Sequence, residues 1–140
     1  MMKESRFVII SHRALKAGDH FDFRFQISDK GRGTWESFAV PGGIPLERGK
    51  KALAIRTNIH NTKDALFTGR IPKGQYGAGT LTMFDSGPCE ILKYTDKHIV
   101  LDLEGRKARG IYHLVNVSVL KTGGKLQSQW ILFQGALKNQ

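Results

Sequence analysis

From His20 to Ile27 polar and apolar side chains alternate without a break. His20, Asp22, Arg24 and Gln26 fall on one parity, and Phe21, Phe23, Phe25 and Ile27 on the other. A period of two belongs to a β-strand with unlike faces, and the aromatic content favours a strand as well. A helix would set residues two apart roughly 200° around its axis and break up both sets. Strands are predicted on the same grounds at Phe7 to Ser11, His20 to Ser28, Thr34 to Val40, Lys51 to Asn58 and Thr80 to Phe84. Others are predicted at Glu90 to Tyr94, His98 to Leu103, Arg109 to Val119 and Gln129 to Gln134. Turn signals separate them at Asp29-Lys30-Gly31-Arg32-Gly33, Pro41-Gly42-Gly43, Asp85-Ser86-Gly87-Pro88, Glu104-Gly105-Arg106 and Gly123-Gly124. Arg13 to Asp19 reads as a polar connector, Gly69 to Gly79 as a glycine-rich loop, and Asn61 to Phe67 is ambiguous. The pattern predicts an all-β fold with minor helix, a compact closed or nearly closed β-barrel of about eight strands, formed by residues 1–140 as one domain. Closure would also remove exposed strand edges.

Composition narrows the partner more than the fold. The 140 residues are 40% hydrophobic and 24% charged, as in a soluble globular protein. A net charge of +10 and a pI near 10 favour a polyanionic partner, nucleic acid first and an anionic membrane surface second. Cys89 is the sole cysteine, which excludes an internal disulfide and a cysteine-built zinc site. It is expected to be a strand residue and not a nucleophile. No apolar run approaches the roughly 20 residues of a membrane helix, and Phe7-Val8-Ile9-Ile10 is too short for a signal-peptide core. A cytoplasmic protein without a membrane partner is therefore expected.

The candidate chemistry lies on the polar parity of the alternating strand. Side chains two apart on one face stand ~6.6 Å apart, so an imidazole at 20 and a carboxylate at 22 can lean onto one ion. Arg24 would then lie beside an anion held there. If the 13–19 connector folds back, His12 joins His20 and Asp22 at one end of the barrel. Two imidazoles and a carboxylate suit a borderline divalent ion such as manganese or zinc. On the strand before His60, parity groups Ala52, Arg56, Asn58 and His60, so Arg56 could supply an anion contact and His60 a proton donor. The ordinary alternatives are a solvated strand face and hydrogen-bonded loop histidines. His98 and His113, without such polar company, read as ordinary strand residues. Ile71-Pro72-Lys73-Gly74-Gln75-Tyr76-Gly77-Ala78-Gly79 lacks the ending of a phosphate-binding P-loop, and Tyr76 is expected to pack.

Taken together, these residues resemble a known family. His12, then His20-Phe21-Asp22-Phe23-Arg24, Ser37-Phe38-Ala39-Val40-Pro41, Leu53-Ala54-Ile55 leading to His60, Gly69 through Gly79, and Trp130-Ile131-Leu132 follow its order. The chain is similar to the 3′-phosphoesterase module of bacterial DNA ligase D and its stand-alone archaeal and bacterial relatives. The resemblance implies a manganese-dependent enzyme, other divalent ions such as zinc or cobalt being alternatives. Its action would be to remove a 3′-terminal ribonucleotide and then a 3′-phosphate from primer strands of DNA or RNA–DNA, leaving a hydroxyl. It implies His12, His20 and Asp22 as metal ligands, and Arg24 and His60 as catalytic contacts to the scissile phosphate. A separately encoded ligase or polymerase is the implied partner.

The chain departs from the family pattern at several points. His12 and His20 are eight residues apart where six is usual. Gly42 replaces a lysine, Ala52 an arginine and Asp64 a tyrosine. Arg56 and Lys51 are the candidates to replace the missing phosphate contacts. The alternative function is a nucleic-acid-binding barrel with weakened or no catalysis.

Overall fold

The computed structural model describes residues 4–27, 34–59, 61–120 and 126–136. In chain order it contains β1 (Glu4–Ala14), β2 (Gly18–Gln26), β3 (Trp35–Val40), β4 (Lys51–Thr57), α1 (Thr62–Ala65) and β5 (Gly69–Ile71). These are followed by β6 (Gly79–Tyr94), β7 (His98–Glu104), β8 (Arg109–Asn116), β9 (Val119–Leu120), β10 (Leu126–Gln127) and β11 (Gln129–Gln134). Antiparallel ladders run β1-β2-β3-β4-β11-β8-β7-β6, and β6 returns to β1 from Glu4 opposite Glu90 to Ala14 opposite Gly79. Eight strands therefore close on themselves, as the strand count predicts. β5 adds to β6 outside the closure, and β9 with β10 forms a separate two-stranded ribbon.

The alternating strand divides as its periodicity requires. Phe23 and Phe25 enter the barrel core with Phe7, Ile9, Phe38, Tyr112, Leu114 and Trp130, while Phe21 and Ile27 pack against its margin. The opposite parity faces the outer wall. There Val8 and Ile10 join Trp35, Ala65 and Leu81 in a second, smaller cluster flanked by Ile59, Leu66 and Ile71. This explains the unbroken run Phe7-Val8-Ile9-Ile10, in which odd residues fill the barrel and even residues meet the segment laid over its outside. Asn61 starts α1 by accepting the Asp64 N–H on its side-chain oxygen at 2.8 Å, which resolves the ambiguous 61–67 stretch as one capped turn.

Several predicted boundaries differ from the structure: β5 forms within the expected Gly69–Gly79 loop, and the strand expected from Arg109 to Val119 stops at Asn116, Val119 belonging to β9. β1 does not stop at Ser11; it continues through His12 to Ala14, and the polar connector shrinks to the turn at residues 15–17. Gly18, at φ +80°, supplies the left-handed backbone that a three-residue hairpin turn uses. Nor is Asp85-Ser86-Gly87-Pro88 a turn, because β6 runs straight through it. The Asp85 carboxylate accepts the N–H groups of Ser86, Arg106, Lys107 and Ala108 at 2.8–3.0 Å, so its turn-forming capacity organises the 105–108 loop instead. Pro88 is tolerated where β6 pairs with β1 only, the ladder to β7 beginning at Cys89. The signals at 29–33 and 123–124 lie outside the described residues. No described helix is long and apolar enough to cross a membrane.

Candidate metal centre

His12 and His20 are direct cross-strand partners, and Asp22 lies opposite Ile10 one step along the same face. The three side chains meet near the β1–β2 turn, but on the outer wall of the barrel and not in its mouth. A folded-back connector is not needed. The eight-residue separation is what a tight hairpin gives when both histidines share a rung.

The protons on the two rings decide what this cluster can bind. His12 Nε2 stands 2.9 Å from the Gly77 carbonyl oxygen, and His20 Nδ1 stands 3.0 Å from that of Gly18. A carbonyl only accepts, so each of these nitrogens carries a hydrogen and donates. The remaining nitrogens, His12 Nδ1 and His20 Nε2, lie 3.3 Å from Asp22 Oδ2 and 3.2 Å from Asp22 Oδ1. Neutral rings would thus aim two lone pairs at a carboxylate. A cation among them, or a proton on a ring, is required. Ring orientation by a backbone carbonyl is the support that metal-binding histidines generally receive. The three ligand atoms lie within 4.8 Å of one another. Ligands bonded at roughly 2.1 Å stand about 3.0–3.4 Å apart at octahedral and tetrahedral angles. Each histidine nitrogen meets a different Asp22 oxygen at such a separation, so one shared ion would take both carboxylate oxygens or a small turn of the carboxylate.

The electrostatics agree. The hydrogen bond with Asp22 raises His20 above its usual 6.5 against the opposing effect of burial, the proton standing in for the cation. Burial acts most strongly on Asp22 and would raise it, yet His20, Arg24 and His12 together hold its carboxyl below the ordinary range. Asp22 is 4% exposed and Arg24 7% exposed, so both charges depend on their partners.

Arg24 is more committed than the sequence suggests. Its Nη2 reaches Asp22 Oδ2 at 3.3 Å, its Nε donates to Ser37 Oγ at 3.1 Å, and its Nη1 donates to the carbonyls of Asp64 and Ala65 at 3.3 and 3.0 Å. Thr57 Oγ1 in turn donates to Ser37 Oγ at 2.9 Å. Of five guanidinium N–H groups, only one on Nη2 is left for another acceptor. A forked grip on phosphate is not available in this arrangement. Arg24 instead aims Asp22 and fastens α1 to the wall, and the Trp35 indole donating to Thr62 Oγ1 at 2.9 Å adds a second fastening.

The other sequence candidates are dispersed. Arg56 shares the inner parity with Ala52 and Ala54, pairs with Glu36 at 3.1 Å and stacks over Trp130 at 4.7 Å, so it is turned away from the His12 cluster. Tyr94 also donates to Glu36. Lys51, at the far end of β4, lines a separate hollow of about 690 Å³ with Lys50 and Leu53. His60 lies outside the described residues. Cys89 is buried in β6, where burial pushes its thiol up to about 12, as befits a strand residue. His98 and His113 do have polar company: the two rings hydrogen-bond at 2.8 Å, Lys93 meets His98 Nδ1 at 3.2 Å and His113 Nε2 donates to the Ala136 carbonyl at 2.7 Å. Tyr76 does not pack; 98% of its surface is open. The partners that sequence reasoning missed are mostly backbone carbonyls, those of Gly18, Gly77, Asp64 and Ala65, which carry no residue signature. Only the hydroxyl of Ser37, on the outer parity of β3, was there to be read.

Comparison with known proteins gives the same direction. Residues 11–116 match the family model described as the DNA Ligase D 3′-phosphoesterase domain. The multifunctional non-homologous end joining protein LigD of Pseudomonas aeruginosa is 36% identical over 134 residues, covering 91% of this chain and 14% of that protein. The corresponding DNA repair protein of Mycobacterium tuberculosis is 34% identical over 138 residues, covering 96% of this chain and 16% of its own length. That of Mycolicibacterium smegmatis is 36% identical over 121 residues, 79% of this chain and 15% of the relative. The chain thus spans about one seventh of the length of the curated relatives it matches.

Proposed function

The chain belongs to the DNA ligase D 3′-phosphoesterase domain family, and from that membership we propose that it processes 3′ ends of nucleic-acid strands in DNA repair. The proposed reaction is hydrolysis, removing a 3′-terminal ribonucleotide and the 3′-phosphate left behind. The observation that carries this reading is the pair of imidazole lone pairs, on His12 and His20, turned onto the Asp22 carboxylate.

His12, His20 and Asp22 would hold the ion, with manganese the proposed occupant and zinc or cobalt compatible with the same donors. A divalent ion there supplies Lewis-acid polarisation of a phosphoryl oxygen. Gly18 and Gly77 fix the two rings through their carbonyls. Arg24 keeps Asp22 ionised and aimed, and offers its single spare N–H to the substrate. His60, assigned from the family motif, would contact the scissile phosphate and steady its charge or protonate the leaving oxygen. The net charge of +10 draws in the polyanionic strand. A ligase or polymerase activity is a fitting partner for an activity that yields a 3′-hydroxyl.

The test is incubation of the full chain with primer–templates ending in a 3′-phosphate or in one ribonucleotide, with manganese or with EDTA. A 3′-hydroxyl product that appears only with metal is expected. Salt-dependent DNA binding without any product, unaffected by EDTA or by His20→Ala, would replace this reading with that of a non-catalytic binding barrel.

A further inference from the structure

Tyr76 stands free of the protein, with 98% of its surface exposed, yet the backbone beneath it is fixed at several points. The Gln75 N–H donates to the Pro72 carbonyl at 3.2 Å, and the Ala78 N–H donates to the Gln75 carbonyl at 3.1 Å, making two successive turns around Tyr76. The Leu15 N–H donates to the Ala78 carbonyl at 2.9 Å, tying the loop to the β1–β2 turn. Gly77, at φ +77°, allows the second turn, and its carbonyl receives the His12 Nε2–H at 2.9 Å. Tyr76 is therefore one peptide unit from a group that touches a proposed metal ligand. Beside the loop's anchor, Leu15 is itself 65% exposed.

An aromatic ring has roughly 150–250 Å² to bury, and here the fold buries almost none of it. A flexible tip could leave a ring in water by default, but a loop pinned on both sides presents it. The ligand that a planar, uncharged ring beside a phosphate-handling centre on a +10 chain suits is a nucleobase, whose flat face stacks irrespective of sequence. We propose that Tyr76 is the platform on which the base of the 3′-terminal nucleotide stacks, with Leu15 as its apolar flank. This rests on the 3′-end reading given above and specifies how that end is held. The platform makes no hydrogen bond to a base edge, so it grips any terminal nucleotide and discriminates only against an end that lacks a base.

The experiment uses the full chain and a primer–template whose 3′-phosphorylated terminal nucleotide is 2-aminopurine, a base whose fluorescence is quenched by stacking. Titration in EDTA separates binding from turnover. Wild type, Tyr76→Phe and Tyr76→Trp are expected to quench the probe. Tyr76→Ala should lose the quench and bind roughly tenfold to a hundredfold more weakly. Its melting temperature should equal that of wild type, since the fold buries almost none of the ring. With manganese, the loss should fall on KM more than on kcat. It should disappear on a primer whose 3′-phosphate is carried by an abasic sugar. If wild type processes ends and Tyr76→Ala matches it in both quench and KM, the platform is wrong. If wild type quenches the probe but never releases phosphate, the platform stands and the hydrolytic reading falls. No quench and no product from wild type removes both.

Discussion

His12 and His20 face each other across one rung of the β1–β2 hairpin, and each gives its outer ring N–H to a backbone carbonyl so that its other nitrogen turns toward Asp22. The fold thus fixes two tautomers before any ligand arrives. Stabilisation by an ion follows by mass action. Free manganese at a hundred times its dissociation constant should add about 2.7 kcal/mol, seen as an upward shift in melting temperature of several degrees that EDTA reverses. Asp22→Asn should abolish that shift together with activity. Should the variant still be stabilised by manganese, the ion binds elsewhere.

Arg24 should behave as part of the framework. Arg24→Ala removes the partner of a carboxylate that is 4% exposed and releases the 61–66 segment from the wall, which should cost about 3–5 kcal/mol in chemical denaturation. Arg24→Lys should recover only part of this, because an ammonium lacks the planar fork that spans Asp22, Ser37 and two carbonyls. An Arg24→Ala protein of wild-type stability with a raised KM would instead mean that the guanidinium leaves its partners and grips substrate.

Arg56 and His60 should part company when tested side by side. Replacing Glu36 and Arg56 together, by Gln and Met, removes a pair inside the barrel without stranding either charge, so end processing should persist. His60→Ala should lower kcat about 10²- to 10⁴-fold while the manganese-induced rise in melting temperature survives. Primer-extension gels scored for 3′-hydroxyl formation, with melting curves on the same samples, distinguish the two. Equal losses would show that the inner ion pair, and not the family motif, governs turnover.

Asp85 provides the pH test. Burial would raise its carboxyl, but the N–H groups of Ala108, Arg106, Lys107 and Ser86 outweigh that and hold it below the usual 3.8. A depressed folded-state value means that its stabilisation is complete above the ordinary carboxylate value and is lost as pH falls through the folded one. Asp85→Asn turns an amide N–H toward backbone donors, and should cost about 3 kcal/mol at pH 7. Guanidinium midpoints of variant and wild type should converge as the solution is taken below pH 4. A gap that stays constant with pH would mean that the ionised carboxylate is not what holds the 105–108 loop.

What could be read from the sequence, and what could not, divides along chemical lines. The parity of His20, Asp22 and Arg24 was legible because strand geometry allows no other arrangement of alternating side chains. A barrel of about eight strands was legible from the many short strands, although the false turn signal at 85–88 divided β6 in two. His12 was placed with the right neighbours by the wrong route. Its strand continues through polar residues that carry no hydrophobic period, while Gly18, the residue that makes the hairpin turn, looked like one more polar-connector position. The framework contacts of Arg24 were not legible because the four oxygens around it belong to groups remote in sequence, at 37, 64 and 65, or to a neighbour proposed as a ligand, at 22. Asp85 was read as a turn former for its own segment although its acceptors serve a loop more than twenty residues further on.

Because β1 and β2 give one side chain in two to the barrel and the next to the outer wall, their reading frame carries two messages at once. Substitutions can edit either message alone. Insertion or loss of one residue within Gly18–Gln26 cannot, since it would carry the phenylalanines out to water and the candidate ligands into the oil, on every position past the change. Length in this hairpin should therefore tolerate far less drift than identity does, and directed evolution of the protein is best confined to point changes there, with indels reserved for its surface loops.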